Sequence, residues 1–183
     1  VQWELPDNAG VIGGTRLPLE NTNIKTLFLR KGQLHKNPDP IGAPASTQYK
    51  YLPLSGKIFA TEEMAVFEYQ VPEGRHLVGE LEAELYVRSS RPVSDVFLIV
   101  QVQRHNTTHV EYLASCFLGG KVFGANKIHQ LALTDCPINK GINVGDKIGL
   151  IVTSKLYPSA FRVSETDDLG NYRFYDGNIE IMH

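Results

Sequence analysis

The segment from Glu80 to Val87 restricts the fold more than any other part of this chain. Polar and apolar residues alternate along it: Glu80, Glu82, Glu84 and Tyr86 are polar, and Leu81, Ala83, Leu85 and Val87 are apolar. Because successive side chains of a β-strand point to opposite faces, this period of two predicts a strand with one buried and one solvated face. A slip of one residue would move the glutamates into the core, so the register is strongly determined.

Two further runs follow this strand. Val96 to Val102 is almost entirely apolar, which is typical of a strand that is covered on both faces. After a turn at Asn106, a third strand is expected from Val110 to Leu118. Because the links between them are short, the three strands are predicted to form an antiparallel meander.

The remaining chain carries short strand patterns and no convincing helical periodicity. A closing hairpin about Gly177 is expected at the end, and further strands at 26–30, 48–52, 64–70, 128–134 and 147–156. Short strands at spacings of about 8–12 residues are typical of two packed sheets. The sequence therefore predicts an all-β fold, a two-sheet antiparallel β-sandwich of jelly-roll type.

Size and charge limit the function classes. A chain of 183 residues suits a single domain over 1–183, in which residues 1–23 are an extended lead-in. The net charge is −2, without the basic stripe that nucleic-acid binding needs. No apolar run approaches the roughly 20 residues that span a bilayer. Neither nucleic acid nor a membrane is an expected partner, and the compartment, cytoplasmic or secreted, is left open.

Two cysteines and one sequon bear on chemical modification. Cys116 lies in a predicted strand, and Cys136 precedes Pro137 at an expected strand end. Two buried thiols are the favoured interpretation, and a disulfide between neighbouring strands is the alternative. Asn106-Thr107-Thr108 matches the N-glycosylation sequon in an expected exposed turn, so Asn106 is a candidate modification site.

No catalytic motif is present, and no residue is assigned a catalytic role. The sequence lacks the Gly-x-Ser-x-Gly nucleophile elbow and the glycine-rich loops that bind phosphate. His105 and His109 flank one turn, but two histidines lack the third ligand of a catalytic zinc, and they are interpreted as exposed strand-end residues. Glu80, Glu82 and Glu84 have the spacing of paired carboxylates, yet a solvated strand face explains them without a glycosidase function.

Two sets of residues are candidate ligand sites. One is an acidic turn made of Glu165, Asp167 and Asp168. Its carboxylates would bind a structural calcium ion, and a solvated turn is the favoured alternative. The other set would form a platform for a sugar ring, although aromatic side chains are also common core residues; it comprises Trp3, Tyr49, Tyr51 and Tyr157. Apart from that calcium ion, no cofactor is expected.

Four stretches form a pattern beyond simple alternation. They are the entry strand at 27–34, the strand from Val78-Gly79 to Ser89-Ser90, the Ser94-Asp95 pair, and the segment from Gly145 through Thr153-Ser154 to Tyr157-Pro158. This pattern resembles the C-terminal jelly-roll domain of the X-prolyl dipeptidyl peptidase and cocaine esterase (CocE/NonD) hydrolase family, and Trp3 resembles the tryptophan that often leads into that domain. The chain departs from the family pattern at Asp146, where a histidine is usual, and at 161–168, which replace an asparagine-rich run.

The resemblance implies a supporting role in a hydrolase. In that family the catalytic serine, aspartate and histidine belong to a preceding α/β-hydrolase domain, so none of them is assigned to this chain. The implied function is a non-catalytic, galactose-binding-like β-sandwich that packs on an α/β-hydrolase catalytic domain of an esterase or X-Pro peptidase and often supports homo-oligomers. Two alternatives stay open: a free-standing carbohydrate-binding module, and a structural module that self-assembles through its edge strands.

Overall fold

The computed structural model describes residues 2–4, 11–13, 23–38, 46–51, 61–90, 96–117, 125–154, 165–166, 172–173 and 177–182. Within them lie a 3₁₀ turn at Thr61–Glu63 and fourteen strands: β1 (Gln2–Glu4), β2 (Val11–Gly13), β3 (Phe28–Arg30), β4 (Gln33–His35), β5 (Ser46–Tyr51), β6 (Met64–Gln70), β7 (Arg75–Ser89), β8 (Phe97–Gln103), β9 (Val110–Phe117), β10 (Ile128–Ile142), β11 (Lys147–Thr153), β12 (Glu165–Thr166), β13 (Tyr172–Arg173) and β14 (Gly177–Met182). None of the described segments is a helix with the length and hydropathy needed to cross a membrane.

The strands form two large sheets and two small ones. One large sheet has four strands in the order β10-β7-β14-β5, and the other has six in the order β3-β4-β6-β11-β8-β9. The small sheets are the pairs β1-β2 and β12-β13. Pairing in the two large sheets is antiparallel except for a short parallel contact between β4 and β6. The predicted all-β, two-sheet sandwich is therefore confirmed.

The core lies between the two large sheets and contains the residues that the alternation selected. Leu85 and Val87 of β7 are buried in it, and Leu81 and Ala83 pack against it. Facing residues of the six-stranded sheet complete this core, and they include Ala65, Phe67, Leu98, Val100 and Val152. Glu80, Glu82 and Glu84 are exposed on the opposite face of β7, as predicted. Each larger apolar side chain that is buried here contributes about 1.5–3 kcal/mol to folding.

Strand β8 is covered on both faces for much of its length, which confirms the prediction from its apolar run. Leu98 and Val100 point into the core. Phe97 and Ile99 alternate with them, so they lie on the outer face of the sheet, and they are also buried. The position of β8 between β11 and β9 accounts for a strand with so little polar surface.

The predicted three-stranded meander is wrong. Strands β8 and β9 form a hairpin, but β7 belongs to the other sheet, where it pairs with β10 and β14. The link after Ser89 therefore crosses from one sheet to the other. Alternation identifies which face of a strand is buried, but it carries no information about the strand that pairs with it.

The end of β10 and the pairing of β14 also differ from the prediction. Strand β10 continues to Ile142 because a register shift between Leu133 and Cys136 accommodates an extra residue. Pro137 is tolerated within it because β10 is an edge strand, whose free side needs no N–H donor. The closing hairpin expected about Gly177 is not found between the described strands of this region, since β14 pairs with β5 and β7 and β13 pairs with β12.

Candidate functional site

A buried carboxylate holds together three turns at one end of the sandwich. Asp146 precedes β11 and is 1% exposed. Its Oδ1 accepts a hydrogen bond from the N–H of His105 at 2.9 Å. Its Oδ2 accepts one from the N–H of Asn143 at 2.9 Å and one from Nη1 of Arg104 at 2.8 Å. The β8–β9 turn and the β10–β11 turn are thus bonded to one side chain.

The third turn is bonded to the same residue through the backbone. The N–H of Val71, which follows β6, donates to the carbonyl oxygen of Asp146 at 2.8 Å, and the N–H of Gly145 donates to the carbonyl oxygen of Val71 at 2.9 Å. Beneath these turns, Val71 packs with Val102 and Ile142 in a small apolar cluster. This end of the sandwich is therefore fixed by both polar and apolar contacts.

Arg104 extends the polar contacts to the edge strands. Its Nε donates to Oε1 of Glu111 at 2.7 Å, and its Nη1 donates to the carbonyl oxygen of Gly141 at 3.1 Å. Lys140 lies 2.7 Å from Oε2 of Glu111. We call Arg104, Glu111, Lys140 and Asp146 the Asp146 cluster. It contains two acids and two bases, so its charges balance.

The pKa values of the cluster follow from these bonds. Hydrogen bonds from Arg104 and then Lys140 lower the pKa of Glu111 to about 2. Burial alone would raise the pKa of Asp146, but hydrogen bonds from the N–H groups of Asn143 and His105 and from Arg104 outweigh it, so this pKa is lowered. The bond to Glu111 is the main cause of a raised pKa for Arg104. Glu111, Asp146 and Arg104 are thus held in their charged forms, which suits a structural cluster better than proton transfer.

Gly145 shows how closely the turns approach one another. Its φ is +85°, a region that L side chains rarely adopt. A Cβ at this position would lie 2.6 Å from Nδ1 of His105. The glycine therefore allows the imidazole of the β8–β9 turn to pack directly on the β10–β11 turn.

On the outer face of the six-stranded sheet, one half is accessible to solvent and the other half is buried. Tyr112 of β9 pairs with Gln101, Gln101 with Gly149, and Gly149 with Glu68. The next row along the strands consists of Val110, Gln103, Lys147 and Gln70. We call these eight residues the Tyr112 face. Farther along the same surface Phe97, Ile99 and Ile151 are buried, so the open part is limited to these two rows.

The Tyr112 face combines exposed apolar groups with little net charge. Tyr112 is 58% exposed and Val110 46%. A Cβ at Gly149 would lie 3.1 Å from Cγ of Gln101, so the Gln101 side chain lies over the glycine and leaves the surface flat. The charged pair of this face, Lys147 and Glu68, lies within 3.6 Å of each other. Such a surface costs less to desolvate than one that carries several charges of the same sign.

The outer face of the four-stranded sheet also exposes large apolar groups, at Tyr86 and Ile128, but it carries more charge. Glu80, Glu82 and Glu84 are all exposed there. Nε2 of Gln130 and the hydroxyl of Tyr86 both donate hydrogen bonds to Oε1 of Glu84. A surface that carries these carboxylates is expensive to desolvate, so it is a typical solvated face.

The structure gives different outcomes for the predicted aromatic platform. Tyr49 is 3% exposed and its hydroxyl lies 2.9 Å from Oγ of Ser154, so it belongs to the core and is not a surface ligand residue. Trp3 lies in β1 and Tyr51 in β5, but their side chains are outside the described residues, as is all of Tyr157. Two exposed tyrosines in the described part of the chain, Tyr86 and Tyr112, lie on opposite outer faces and do not share a surface.

The other predicted sites are only partly described. Glu165 lies in β12 without a described side chain, and Asp167 and Asp168 are outside the described residues, so the calcium prediction is untested. His105 and His109 are exposed at the β8–β9 turn. Within the described ranges, no three His, Cys, Asp or Glu residues gather as a metal-binding group.

The thiol interpretation is wrong for Cys136, which is disulfide-bonded. Position 116 holds the one other cysteine of the sequence. Positions 116 and 136 lie in β9 and β10, which are edge strands of different sheets. A disulfide at this place ties the two sheets together along one side of the sandwich.

Sequence reasoning missed the Asp146 cluster. In the sequence, Asp146 stands out only as a departure from a family pattern, and Arg104 and Glu111 belong to no motif. One local signal was available, because a basic and an acidic residue at the two ends of a hairpin turn are placed to form an ion pair. The partnership with Asp146 had no such signal, since Arg104 and Asp146 are 42 positions apart.

Comparison with solved structures shows where this fold occurs. The chain superposes on an aminopeptidase from a marine sediment Thaumarchaeota archaeon with a TM-score of 0.78 and 12% identity, over 98% of this chain and 38% of that one. It matches a CocE/NonD family hydrolase from Staphylococcus aureus with a TM-score of 0.66 and 14% identity, over 94% and 36%. An alpha-amino acid ester hydrolase gives a TM-score of 0.68 and 12% identity, over 86% and 34%. No protein-family model and no curated protein matches the sequence.

These comparisons confirm the structural resemblance to CocE/NonD hydrolases at the level of the fold. Nearly the whole chain is matched, whereas it spans only about a third of each hydrolase. The shared unit is therefore a part of those proteins, and this chain is similar to that β-sandwich part.

Proposed function

We propose that this chain is the non-catalytic accessory β-sandwich of a serine hydrolase, and that it packs on an α/β-hydrolase catalytic domain. The observation that carries the proposal is the coverage: the chain is matched over 86–98% of its length, but it covers only 34–38% of the hydrolases. The names of those hydrolases suggest esters or peptides of amino acids as the substrate class. The same proposal takes the sandwich as a jelly roll of the galactose-binding-like type.

The described surface supports one docking site over another. Protein interfaces are depleted of charged residues at their centre and enriched in tyrosine. The Tyr112 face has an exposed tyrosine, an exposed valine, neutral amides and one pair of opposite charges. The other outer face also exposes Tyr86 and Ile128, but the three exposed glutamates of β7 make its centre more highly charged. The catalytic domain is therefore proposed to dock on the Tyr112 face.

The Asp146 cluster suits this role because it holds the strands of the docking face in position. Glu111 lies between Val110 and Tyr112 on β9, and its bond to Arg104 fixes that strand against the end of β8. A preorganised surface loses less conformational entropy when its partner binds. The cluster is thus a positioning device, and the docking face makes the contact.

Activity measurements test the accessory role. The isolated 183-residue chain is expected to give no turnover of an activated ester, whereas the parent protein that contains the catalytic domain is expected to hydrolyse it. Turnover by the isolated chain that a serine-reactive inhibitor abolishes would show that the chain has its own nucleophile and would refute the proposal.

Binding measurements test the docking face. Tyr112→Arg is expected to weaken association of the chain with a separately produced catalytic domain by about 30-fold, the effect of losing one interface hot spot. Glu82→Arg on the opposite face is the matched control, because it introduces the same side chain at an exposed strand position. Equal weakening by the two variants, or weakening by the control alone, would place the interface elsewhere.

A further inference from the structure

The β8–β9 turn contains a tripeptide that the accessory role does not explain. Asn106-Thr107-Thr108 is the one match to Asn-x-Ser/Thr in the 183-residue sequence. A hydrogen bond of 3.2 Å from the N–H of Arg104 to the carbonyl oxygen of His109 closes the hairpin. Asn106, Thr107 and Thr108 all lie beyond this last rung and are exposed. The tripeptide therefore occupies the tip of a closed hairpin.

The two threonines have separate roles. The Thr107 hydroxyl donates to the carbonyl oxygen of Arg104 at 3.2 Å and accepts from the N–H of His109 at 3.1 Å. The carbonyl oxygen of Thr107 also accepts from Nε2 of Gln103 at 3.1 Å. Thr107 thus builds the turn. No such bond to the Thr108 hydroxyl is found in the described part of the chain, and this is the hydroxyl that the sequon requires.

The asparagine is presented in an accessible geometry. Asn106 has a φ of +58°. Asparagine and glycine both adopt this region readily, so the backbone accounts for a choice between these two residues. It does not account for an unbonded threonine two positions later. In the described turn, Thr107 is therefore bonded within the hairpin, and position 108 supplies the hydroxyl that the sequon requires.

The disulfide points independently to a compartment in which this modification takes place. Cys136 is disulfide-bonded. Structural disulfides form and persist in secreted and other oxidising environments and are rare in reducing ones. In secreted proteins, an Asn-x-Ser/Thr sequon on a surface loop is the acceptor for N-linked glycans.

We propose that Asn106 carries an N-linked glycan. A bond forms between its Nδ2 and C1 of the first sugar, the bond from C1 to the diphosphate of a lipid-linked oligosaccharide donor breaks, and Nδ2 loses one proton. Because side chains stand roughly perpendicular to a sheet, the Tyr112 face points away from the sheet plane, whereas the hairpin tip continues along the strands. The glycan leaves from the end of the sandwich, so docking on the Tyr112 face and glycosylation are compatible.

Site mapping of the full-length protein from its natural source is the deciding experiment. Treatment with a peptide N-glycosidase converts a glycosylated asparagine to aspartate, and mass spectrometry of the peptide that contains position 106 detects this change. Conversion at position 106 is expected. An unmodified Asn106 in the protein from its natural source would overturn the proposal. Glycosylation of Asn106 by a foreign host would not rescue it.

Three variants secreted by a glycosylating eukaryotic host separate the sequon from the turn. Thr108→Ala is expected to abolish the glycan with no change in folding, and Thr108→Ser is expected to retain it. Thr107→Ala leaves the sequon intact and is expected to keep the glycan while lowering thermal stability. A glycan that persists in Thr108→Ala, or a folded wild-type chain that leaves this host without one, would contradict the assignment. Neither result bears on the accessory role.

Discussion

Replacing Asp146 with asparagine tests whether the buried carboxylate holds this end of the sandwich together. Asparagine has nearly the same size, so packing is retained. Its amide group, however, has one acceptor oxygen where aspartate has two, and Asp146 uses Oδ1 for one donor and Oδ2 for two. In either orientation of the amide, an NH₂ group faces an N–H donor. The charge that pairs with Arg104 is also lost.

The expected loss in the free energy of unfolding is about 3 kcal/mol. Removing one partner of a buried ion pair costs roughly 3–5 kcal/mol. The low end applies because Arg104 keeps its bonds to Glu111. For a domain of this size, a change of about 3 kcal/mol lowers the Tm by roughly 6–12 °C.

Equilibrium urea unfolding of the 183-residue chain, followed by far-UV circular dichroism, measures this loss. Glu82→Gln is the control, because it makes the same carboxylate-to-amide change at an exposed position and should alter stability by no more than about 0.5 kcal/mol. A loss below about 1 kcal/mol for Asp146→Asn would refute the reasoning, since it would mean that the donors around Asp146 find other acceptors at little cost.

Three further predictions concern the same end of the fold and the disulfide. The pKa of Glu111 is lowered from 4.5 to about 2 in the folded chain. As the pH falls, Glu111 therefore becomes protonated in the unfolded chain before it does so in the folded chain. The stability that this carboxylate contributes is present above pH 4.5 and is lost toward pH 2. Between pH 4.5 and pH 2 the free energy of unfolding of the wild type should therefore fall by about 1–2 kcal/mol more than that of Glu111→Gln, a value reduced because solvent screens this partly exposed group. Parallel curves of unfolding free energy against pH for the two proteins would contradict this. Gly145→Ala should cost about 1–3 kcal/mol, because a Cβ meets His105 at a φ of +85°. Gly149→Ala, whose Cβ has the flexible Gln101 side chain as its nearest neighbour, should cost less, and equal costs in urea unfolding would count against the packing described. Cys136→Ser opens a loop of about 20 residues and should cost about 3 kcal/mol; an unchanged urea midpoint would show that the bridge does not stabilise the sandwich.

Local patterns in the sequence were sufficient to predict most strands. The alternation from Leu81 to Val87 identified both faces of β7, and the strand predicted at 64–70 agrees with β6 at both ends. These predictions succeeded because a period of two depends only on neighbouring residues. The strand predicted at 128–134 is shorter than β10 because Pro137 favours a strand end in the sequence, whereas an edge strand tolerates proline.

The candidate site was much less predictable. The Tyr112 face is made of residues from β6, β8, β9 and β11, and each of these strands supplies only two of its eight residues. The sequence leaves open whether Tyr49 lies at the surface or in the core, because composition does not reveal which face of a strand is covered, and the structure places it in the core. The tip of the β8–β9 turn is the exception, since Asn106 and Thr108 are adjacent in the sequence.

The sequence by itself determined that this chain is a β-sandwich with a charged, solvated face on β7, because alternation is set by the backbone geometry of a strand. Only the tertiary structure decided that β7 and β8 belong to different sheets, that Cys136 is in a disulfide and that Asp146 binds Arg104. These outcomes depend on which distant segments meet, and pairing between strands is decided by the packing of the whole core. His105 and Arg104, which follow β8, are 41 and 42 positions away from Asp146, so their bonds to it exist only once β8 has paired with β11.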